Sequence, residues 1–241
     1  MPFTFSHPAI ILPLSKLKST RLSATAMILG SMSPDFEYFI HMRMYQEHGH
    51  SLLGLFYFDL PMTIALCFIF HAFVRRGLIA HSPKIIREKY AEFSDFNWIQ
   101  HFKKHRFMIG YSAMIGIVSH VFWDAFTHTN GFFVHYIPFL QGKTNILGYV
   151  FTNTDLAQMG SSLIGAIAIA GVLFWPKDRS FQFKIEKRIF TYWFLVCLIT
   201  LLVLVLRGVE NAGDIIATTI SGGLIGLIIT PSLINVLKLK R

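Results

Sequence analysis

The chain has 241 residues, of which 53% are hydrophobic and 15% are charged. Soluble domains carry about 25% charged residues, so this composition is typical of a membrane protein and leaves little room for a separate soluble domain. The two cysteines, Cys67 and Cys197, lie within apolar runs, which argues against a disulfide framework. The net charge of +9 would suggest a nucleic-acid partner in a soluble protein, but membrane topology explains it here.

The N-terminal segment, residues 1–40, has two short helical patterns. Ser6 can cap a first helix, and Pro8 stands in its first turn. A second apolar run, residues 22–32, ends at Ser33-Pro34-Asp35, where the proline breaks or restarts the helix. The run is short for a membrane span. It is either a half-helix or a crossing that continues to residue 40 with its acidic side chains facing inward.

Five longer apolar segments follow, and each predicts a membrane-spanning helix: residues 52–74, 107–127, 160–175, 189–206 and 215–237. Asp59-Leu60-Pro61 interrupts the first of them, and residues 128–157 form a long aromatic and polar loop. The predicted fold is therefore all-α and polytopic, with about six membrane-embedded helices. We expect residues 1–165 to form one helical bundle, to which residues 166–241 add further spans of the same domain.

The basic residues predict the orientation of the chain in the membrane. Residues 1–21, 75–106, 176–188 and 238–241 contain 19 of the 22 lysines and arginines. If residues 22–40 cross once, these four segments lie on one side of the membrane. The connecting segments that contain few lysines and arginines then lie on the other side. The positive-inside rule then places both termini in the cytoplasm.

The segment from His120 to His128 carries the clearest chemical signal. Positions four apart lie nearly above one another on a helix, so His120, Asp124 and His128 form one polar stripe on an apolar span. Two imidazoles flanking a carboxylate suit a divalent metal with nitrogen and oxygen ligands. A buried His–Asp pair in a helical core is the simpler alternative, but ionisable groups in an apolar span are costly and usually functional.

Further residues of the same chemical types converge on this stripe. The predicted topology places six such residues at the same depth, at the non-cytoplasmic ends of the spans: Asp35, His48, His50, Asp124, His128 and Gln158. Asp59 lies inside a span beside Pro61, where it is expected to face the bundle and to orient a ligand. The sequence therefore predicts a metal site near the outer face of the membrane.

The order of these residues resembles the metal ligands of the zinc-dependent phospholipase C and nuclease P1 group. That order is His7, Ser33-Pro34-Asp35, His50 and then His120-x-x-x-Asp124-x-x-x-His128. Two segments also resemble a bacterial inner-membrane family of metal-dependent hydrolases whose function is uncharacterised. They are the opening Pro2-Phe3-Thr4-Phe5-Ser6-His7-Pro8-Ala9 and the internal segment Gly30-Ser31-Met32-Ser33-Pro34-Asp35. The resemblance covers roughly residues 1–165.

The resemblance implies a helical bundle with a metal cluster in a cleft, which hydrolyses phosphate esters. Carried over by position, the ligands would be His7, Asp35, His50, His120, Asp124 and His128. Asp124 would bridge two metals, and Asp35 would also act in catalysis by taking a proton from the attacking water. The likeness implies zinc, as one or two ions, and placement in the bacterial inner membrane.

The sequence departs from that group at one position. A further His-x-x-x-Glu of the phospholipases is matched here by Gln158 and Ser162, which share a helix face but are weak metal ligands. His7 also conflicts with the predicted topology, which places it on the cytoplasmic side of the first crossing. As a ligand, His7 would require residues 1–34 to be re-entrant or to lie within the bundle.

The expected function is hydrolysis of a phosphoester in a lipid or isoprenoid head group, with a membrane lipid as the partner and no nucleic acid. A metal-ion or proton transporter is the first alternative, since the same residues would bind a passing ion. It would need polar residues throughout the bundle, and residues 189–237 supply few. The second alternative is a non-catalytic scaffold with a degenerate site.

Overall fold

The computed structural model describes residues 3–15, 21–175 and 186–239. These residues are mostly helical, with one two-stranded antiparallel hairpin. Among them, five segments are long and apolar enough to cross a membrane: Leu55–Ala80, Trp98–Tyr136, Asn153–Phe174, Lys187–Arg207 and Ala212–Val236. The all-α, polytopic fold predicted from the sequence is confirmed.

Short helices precede and separate the long ones along the chain. The α-helices of the described residues are α1 Pro8–Ser15, α2 Ala24–Gly30, α3 Phe36–His41, α4 Leu60–Ile69, α5 Arg75–Ala80, α6 Lys84–Tyr90, α7 Trp98–Thr127, α8 Pro138–Gln141, α9 Asn153–Phe174, α10 Lys187–Arg207 and α11 Ala212–Leu239. Short 3-10 turns occur at Thr4–Ser6, Ser33–Asp35, Ala91–Phe93 and Phe132–Tyr136, and π-helical segments at Leu55–Asp59 and Phe70–Val74. The strands are β1 Lys143–Ile146 and β2 Tyr149–Thr152, with Lys143 opposite Thr152.

Residues 22–40 do not form one continuous helix. They fold as α2, the 3-10 turn Ser33–Asp35 and α3, and α1 before them has only eight residues. The break falls at Pro34, as the sequence predicts, because proline cannot donate the backbone hydrogen bond that a continuous helix needs. At the break, Ser33 Oγ donates to the carbonyl oxygen of Gly30 at 3.1 Å. Of the two alternatives that the sequence leaves open, the structure therefore has the short half-helix rather than a helix that continues to residue 40.

The first long span begins with a π-helical turn, Leu55–Asp59, immediately before Leu60-Pro61. Such turns occur frequently at functional sites. Thr63 Oγ1 lies 2.8 Å from the carbonyl oxygen of Asp59 and 2.8 Å from Ser33 Oγ. The hydroxyl of Thr63 therefore links this span to the turn that carries Asp35.

The chain divides into two compact units. The first comprises Met1–Asp35, His48–Ile64 and His105–Leu173, and the second comprises Phe36–Glu47, Ala65–Lys104 and Phe174–Arg241. The chain passes from the second unit to the first within α7, next to His105, whose backbone is not helical. All the site residues named from the sequence belong to the first unit. The proposed division at residue 165 stays a prediction.

Helices α2 and α7 approach closely within the first unit. Ile109, Ala113 and Ile117, four residues apart on α7, are fully buried. A Cβ added at Gly116 would lie 2.7 Å from the backbone nitrogen of Ser31, so only glycine fits there. This close approach of backbones is what small residues permit at helix interfaces. The close approach places Ser31, at the end of α2, beside the turn of α7 that contains His120.

The second unit contains the neighbouring helices α10 and α11. Here too the helices meet at glycine, because a Cβ at Gly222 would lie 2.9 Å from Thr200 Cα and one at Gly226 would lie 3.0 Å from the carbonyl oxygen of Val196. Tyr192 is fully buried and stacks on His81 with ring centroids 4.5 Å apart. These two spans therefore pack as a helix pair rather than as isolated crossings.

Candidate metal centre

Four ionisable side chains of the first unit bring their metal-binding atoms together. Asp35, His50, His120 and Asp124 each offer one ligand atom, and these atoms all lie within 4.8 Å of one another. Asp35, His120 and Asp124 are buried, while the side chain of His50 is 25% exposed. The four residues come from the Ser33–Asp35 turn, the loop before the first span and α7. Together they form a compact, buried set of nitrogen and oxygen donors.

The α7 residues of this set continue the buried stripe of that helix. His120 and Asp124 follow Ile117 at spacings of three and four, which keeps all three on one face. His120 is fully buried, and its Nε2 lies 3.2 Å from Asp124 Oδ2. The same periodicity that packs the core thus delivers two polar groups into it.

Asp124 lies between two pairs of imidazole nitrogens. Its Oδ2 is 3.0 Å from His50 Nε2 and 3.2 Å from His120 Nε2. Its Oδ1 is 3.2 Å from His7 Nε2 and 3.5 Å from His128 Nδ1. Each oxygen of this one carboxylate therefore faces two imidazoles.

Asp35 supplies the second carboxylate. Its Oδ1 lies 3.6 Å from His120 Nε2 and 3.9 Å from His50 Nε2. Its Oδ2 accepts a 2.5 Å hydrogen bond from Thr4 Oγ1, which fixes the orientation of the carboxyl group. One oxygen is thus engaged with the N-terminal segment while the other faces the two histidines.

Backbone carbonyl groups orient two of the imidazoles. His120 Nδ1 lies 2.8 Å from the carbonyl oxygen of Ser31, and His7 Nδ1 lies 3.2 Å from that of Thr4. A carbonyl oxygen can only accept, so Nδ1 carries the proton in each ring. The Nε2 atom of each ring then faces Asp124 and is the atom that would ligate a metal, as Nε2 of a neutral imidazole does in metal sites.

His50 has an unusual backbone conformation. Its φ is +66°, in the left-handed region that residues other than glycine seldom adopt. Such strain persists where surrounding structure imposes it, and it clusters at functional sites. The conformation directs His50 Nε2 to within 3.0 Å of His120 Nε2.

His7 lies beside the cluster although it is remote from it in the sequence. Its ring stacks on that of His120 with centroids 3.9 Å apart. Helix α9 holds the N-terminal turn, because Ser162 Oγ accepts from the backbone nitrogen of Phe3 and the Ser162 carbonyl accepts from Ser6 Oγ. The N-terminal turn, residues 3–7, therefore lies within the first unit beside the other predicted ligands, and this removes the conflict between His7 and those ligands.

His128 stands at the rim of the cluster. Its side chain is 40% exposed, and Nδ1 lies 3.5 Å from Asp124 Oδ1 and 3.3 Å from the backbone carbonyl oxygen of Asp124. His50 is the other partly exposed member of the group. The two histidines mark the side from which water reaches the buried carboxylates.

Four other residues named from the sequence occupy different positions. His48 Nδ1 lies 3.0 Å from the hydroxyl of Tyr57. Asp59 is fully buried in the π-helical turn, outside the group of four ligand atoms. Gln158 is half-buried on α9, where its carbonyl accepts from Ser161 Oγ, and Ser162 holds the N-terminal segment. As contributors to the site, these residues stay predictions.

Sequence reasoning did not identify the groups that orient the ligands. The hydroxyl of Thr4 and the carbonyls of Thr4 and Ser31 hold Asp35, His7 and His120. A backbone carbonyl has no sequence signature, since every residue carries one. Thr4 precedes His7 by three residues, but only the folded turn shows that its hydroxyl faces Asp35.

The spacing of the donor atoms fits a tetrahedral metal ion. Ligand atoms about 2.0–2.2 Å from zinc at tetrahedral angles stand about 3.3–3.6 Å apart. The nitrogen and oxygen atoms around His120 Nε2 lie at 3.0, 3.2 and 3.6 Å. The two carboxylates of this buried group need balancing positive charge, which a metal ion or protonated imidazoles can supply. The cluster can therefore hold a metal ion.

Fold and site together define a polytopic α-helical membrane protein with a buried His/Asp cluster. The chain belongs to the family described as Domain of unknown function (DUF4184), which matches residues 1–232. No curated protein and no solved structure matches the chain. The likeness to the phospholipase C and nuclease P1 group therefore rests on the order and identity of the ligand residues alone.

Proposed function

We propose that this protein is a membrane-embedded, metal-dependent hydrolase of a phosphoester in a lipid or isoprenoid head group. The observation that carries the proposal is the convergence of Asp35, His50, His120 and Asp124 in an apolar bundle. Burying such groups costs free energy unless they are paired or bind a metal. Two of the six neighbouring donors are partly open to solvent, which leaves room for a substrate oxygen.

Zinc is the metal that these donors suit best. Imidazole nitrogen and carboxylate oxygen in tetrahedral positions are its usual ligands, and a catalytic site keeps one position open. Asp124 has two imidazoles on each oxygen, which favours two ions bridged by this carboxylate. Asp35, His50 and His120 would hold one ion, and His7 the other, with His128 contributing through Nε2 because its Nδ1 faces the carbonyl oxygen of Asp124.

Different residues of the site would have different roles in hydrolysis. Bound divalent ions supply Lewis acidity and offset the charge of the phosphate. Asp35 would accept the proton of the attacking water at Oδ1, because Thr4 occupies its Oδ2, as the water oxygen bonds to phosphorus, and would return the proton to the alkoxide that leaves. The carbonyls of Ser31 and Thr4 keep His120 and His7 in the tautomer that ligates metal.

An exposed aromatic surface in the same unit supports a lipid substrate. The side chains of Phe132, Tyr136 and Phe139 are 62%, 71% and 69% exposed, and the segment follows α7 directly. Leu147, at the turn of the β1–β2 hairpin, is 94% exposed. Aromatic side chains are enriched at membrane interfaces. A surface of this kind would rest in the outer leaflet and admit a lipid tail towards the site.

Elemental analysis and a phosphoester screen test this function together. Purified full-length protein should contain one or two zinc ions and release phosphate or a phosphorylated head group from a lipid. His50→Gln should lower both, whereas His135→Gln, an exposed loop histidine, should keep its metal content. Metal without hydrolysis of any phospholipid or isoprenoid phosphate would instead favour the transporter or scaffold. Protein without metal would contradict the site itself.

The orientation of the chain is a separate prediction. We propose that the site lies near the outer face of the bacterial inner membrane, with a cytoplasmic C-terminus, because residues 75–106, 176–188 and 238–241 contain 16 of the 22 lysines and arginines. Five spans put the termini on opposite sides of the membrane. The cytoplasmic N-terminus predicted from the sequence would require residues 22–40 to cross, which conflicts with the hydrogen bond between Thr4 and Asp35. We therefore propose that the N-terminal turn lies on the same side as the site.

Cysteine labelling of intact cells tests this orientation, in a background without Cys67 and Cys197. A cysteine at Lys143 should react from outside, and one at Glu88 only after permeabilisation. The opposite pattern would reverse the orientation. A cysteine at Phe3, which is 54% exposed, decides the side of the N-terminus independently.

A further inference from the structure

A cavity of about 440 Å³ lies in the second unit, where the first long span ends and α7 begins. Its polar lining includes Arg75, Arg76, Asp95 and Asn97. Its apolar lining includes Phe73 and Ile99, which are 53% and 58% exposed on the surface of the unit. The cavity therefore combines two cations with an opening bordered by apolar side chains.

The two arginines share one acceptor. Arg75 Nη2 donates to the carbonyl oxygen of Ser94 at 3.2 Å, and Arg76 Nε donates to the same oxygen at 3.0 Å. A neutral carbonyl that receives both guanidinium groups holds two positive charges side by side. Like charges repel at this range, and the one carboxylate of the cavity, Asp95, balances only one of the two charges, so the pair attracts a further anion.

Arg75 is only 4% exposed, although it is charged. Arg75 Nη1 donates to His71 Nδ1 at 2.9 Å, and the guanidinium lies 5.8 Å from the centre of the Phe96 ring. Within the part of the chain that the structure describes, Arg75 makes no ion pair with a carboxylate, and Asp95 of the same cavity offsets only part of its charge from a longer distance. A buried cation is costly without a counter-ion.

The start of α7 adds a further attraction for an anion. Trp98 is the first residue of this helix, and Asn97, Trp98 and Ile99 all line the cavity. Asn97 Oδ1 accepts from the Gln100 N–H at 3.1 Å, and the other N–H groups of the first turn favour negative charge. Trp98 also stacks on His71 with ring centroids 4.3 Å apart, which makes one wall rigid.

We propose that this cavity binds a phosphate group, as carried by an acidic phospholipid. The paired guanidinium groups would contact the phosphate oxygens, and the acyl chains would leave along Phe73 and Ile99. Basic pockets between membrane helices are a known form of site for anionic head groups. Asp95 lies in the same cavity and is exposed, so its carboxylate opposes the bound anion.

Native mass spectrometry of the full-length protein in detergent measures this binding, with phosphatidylglycerol, phosphatidylcholine and inorganic phosphate as probes. The wild type should bind phosphatidylglycerol more tightly than phosphatidylcholine. Arg76→Gln removes one exposed guanidinium and should weaken phosphatidylglycerol binding about tenfold, the usual loss for a charge-assisted hydrogen bond. Asp95→Asn should strengthen it, because it removes the opposing charge.

Arg106→Gln is the matched control. Like Arg76, Arg106 is an exposed arginine, but it lies on α7 and does not line the cavity. It should leave phosphatidylglycerol binding unchanged. Inorganic phosphate that binds the wild type and fails to bind Arg76→Gln would identify free phosphate as the ligand. Equal losses in Arg76→Gln and Arg106→Gln, or no loss in Arg76→Gln for either probe, would overturn the proposal.

Discussion

Asp124→Asn is expected to lower metal affinity by at least the 10–100-fold that is usual for the loss of lesser, outer-shell partners. The amide keeps the shape of the side chain but removes the negative charge that both oxygens present to four imidazoles. Phosphoesterase activity should fall with the metal content. If the cluster were only structural, the amide would still hydrogen-bond, and the cost would be about 1–3 kcal/mol of stability.

Metal content by elemental analysis, and phosphate release at saturating zinc, separate the two cases. Asp155→Asn is the matched control, since Asp155 is an exposed carboxylate in the first turn of α9. It removes the same charge without touching the cluster. Full metal occupancy and unaltered activity in Asp124→Asn would contradict the catalytic role and favour a scaffold.

Gly116→Val is expected to destabilise the first unit and to empty the metal site. The new side chain would displace α2, because even a Cβ would lie 2.7 Å from the Ser31 nitrogen and 3.0 Å from the carbonyl carbon of Gly30. Overpacking of this kind costs about 1–3 kcal/mol. The carbonyl of Ser31 orients His120, so its movement also removes the hydrogen bond that sets the tautomer of this ligand.

Gly110→Val provides the control for that substitution. Gly110 lies on the same helix, and a Cβ there would meet no atom within 4 Å. Both variants lose a glycine and gain the same β-branched residue, so the helix-propensity cost is shared. Thermal unfolding and zinc content should therefore change in Gly116→Val alone. Equal effects in both variants would show that the α2–α7 contact does not position the site.

Sequence periodicity was sufficient for the α7 part of the site. A helix fixes its side-chain directions every 3.6 residues, so His120 and Asp124 had to share a face wherever the helix packed. The apolar composition around them likewise fixed a membrane setting and an all-α fold, since a chain in lipid must satisfy its backbone within helices or a closed barrel. The break at Pro34 was equally local, because it follows from a missing donor.

The rest of the centre depended on contacts between distant segments. His7 and His50 have no periodic relation to α7. His7 is positioned by the hydrogen bond between the N-terminal turn and Ser162, and His50 by its left-handed backbone conformation. The likeness to known ligand order suggested both residues, but nothing local in the sequence fixes where their rings lie.

Tertiary structure also decided how each ligand is held. The carbonyls of Ser31 and Thr4 orient their histidines because glycines allow α2 and α7 to approach and because the N-terminal turn packs on α9. Backbone groups are identical at every position, so composition and spacing contain no information about which of them will meet a given ring. Local rules therefore determined which residue types share the α7 face, whereas long-range packing decided which atoms surround them.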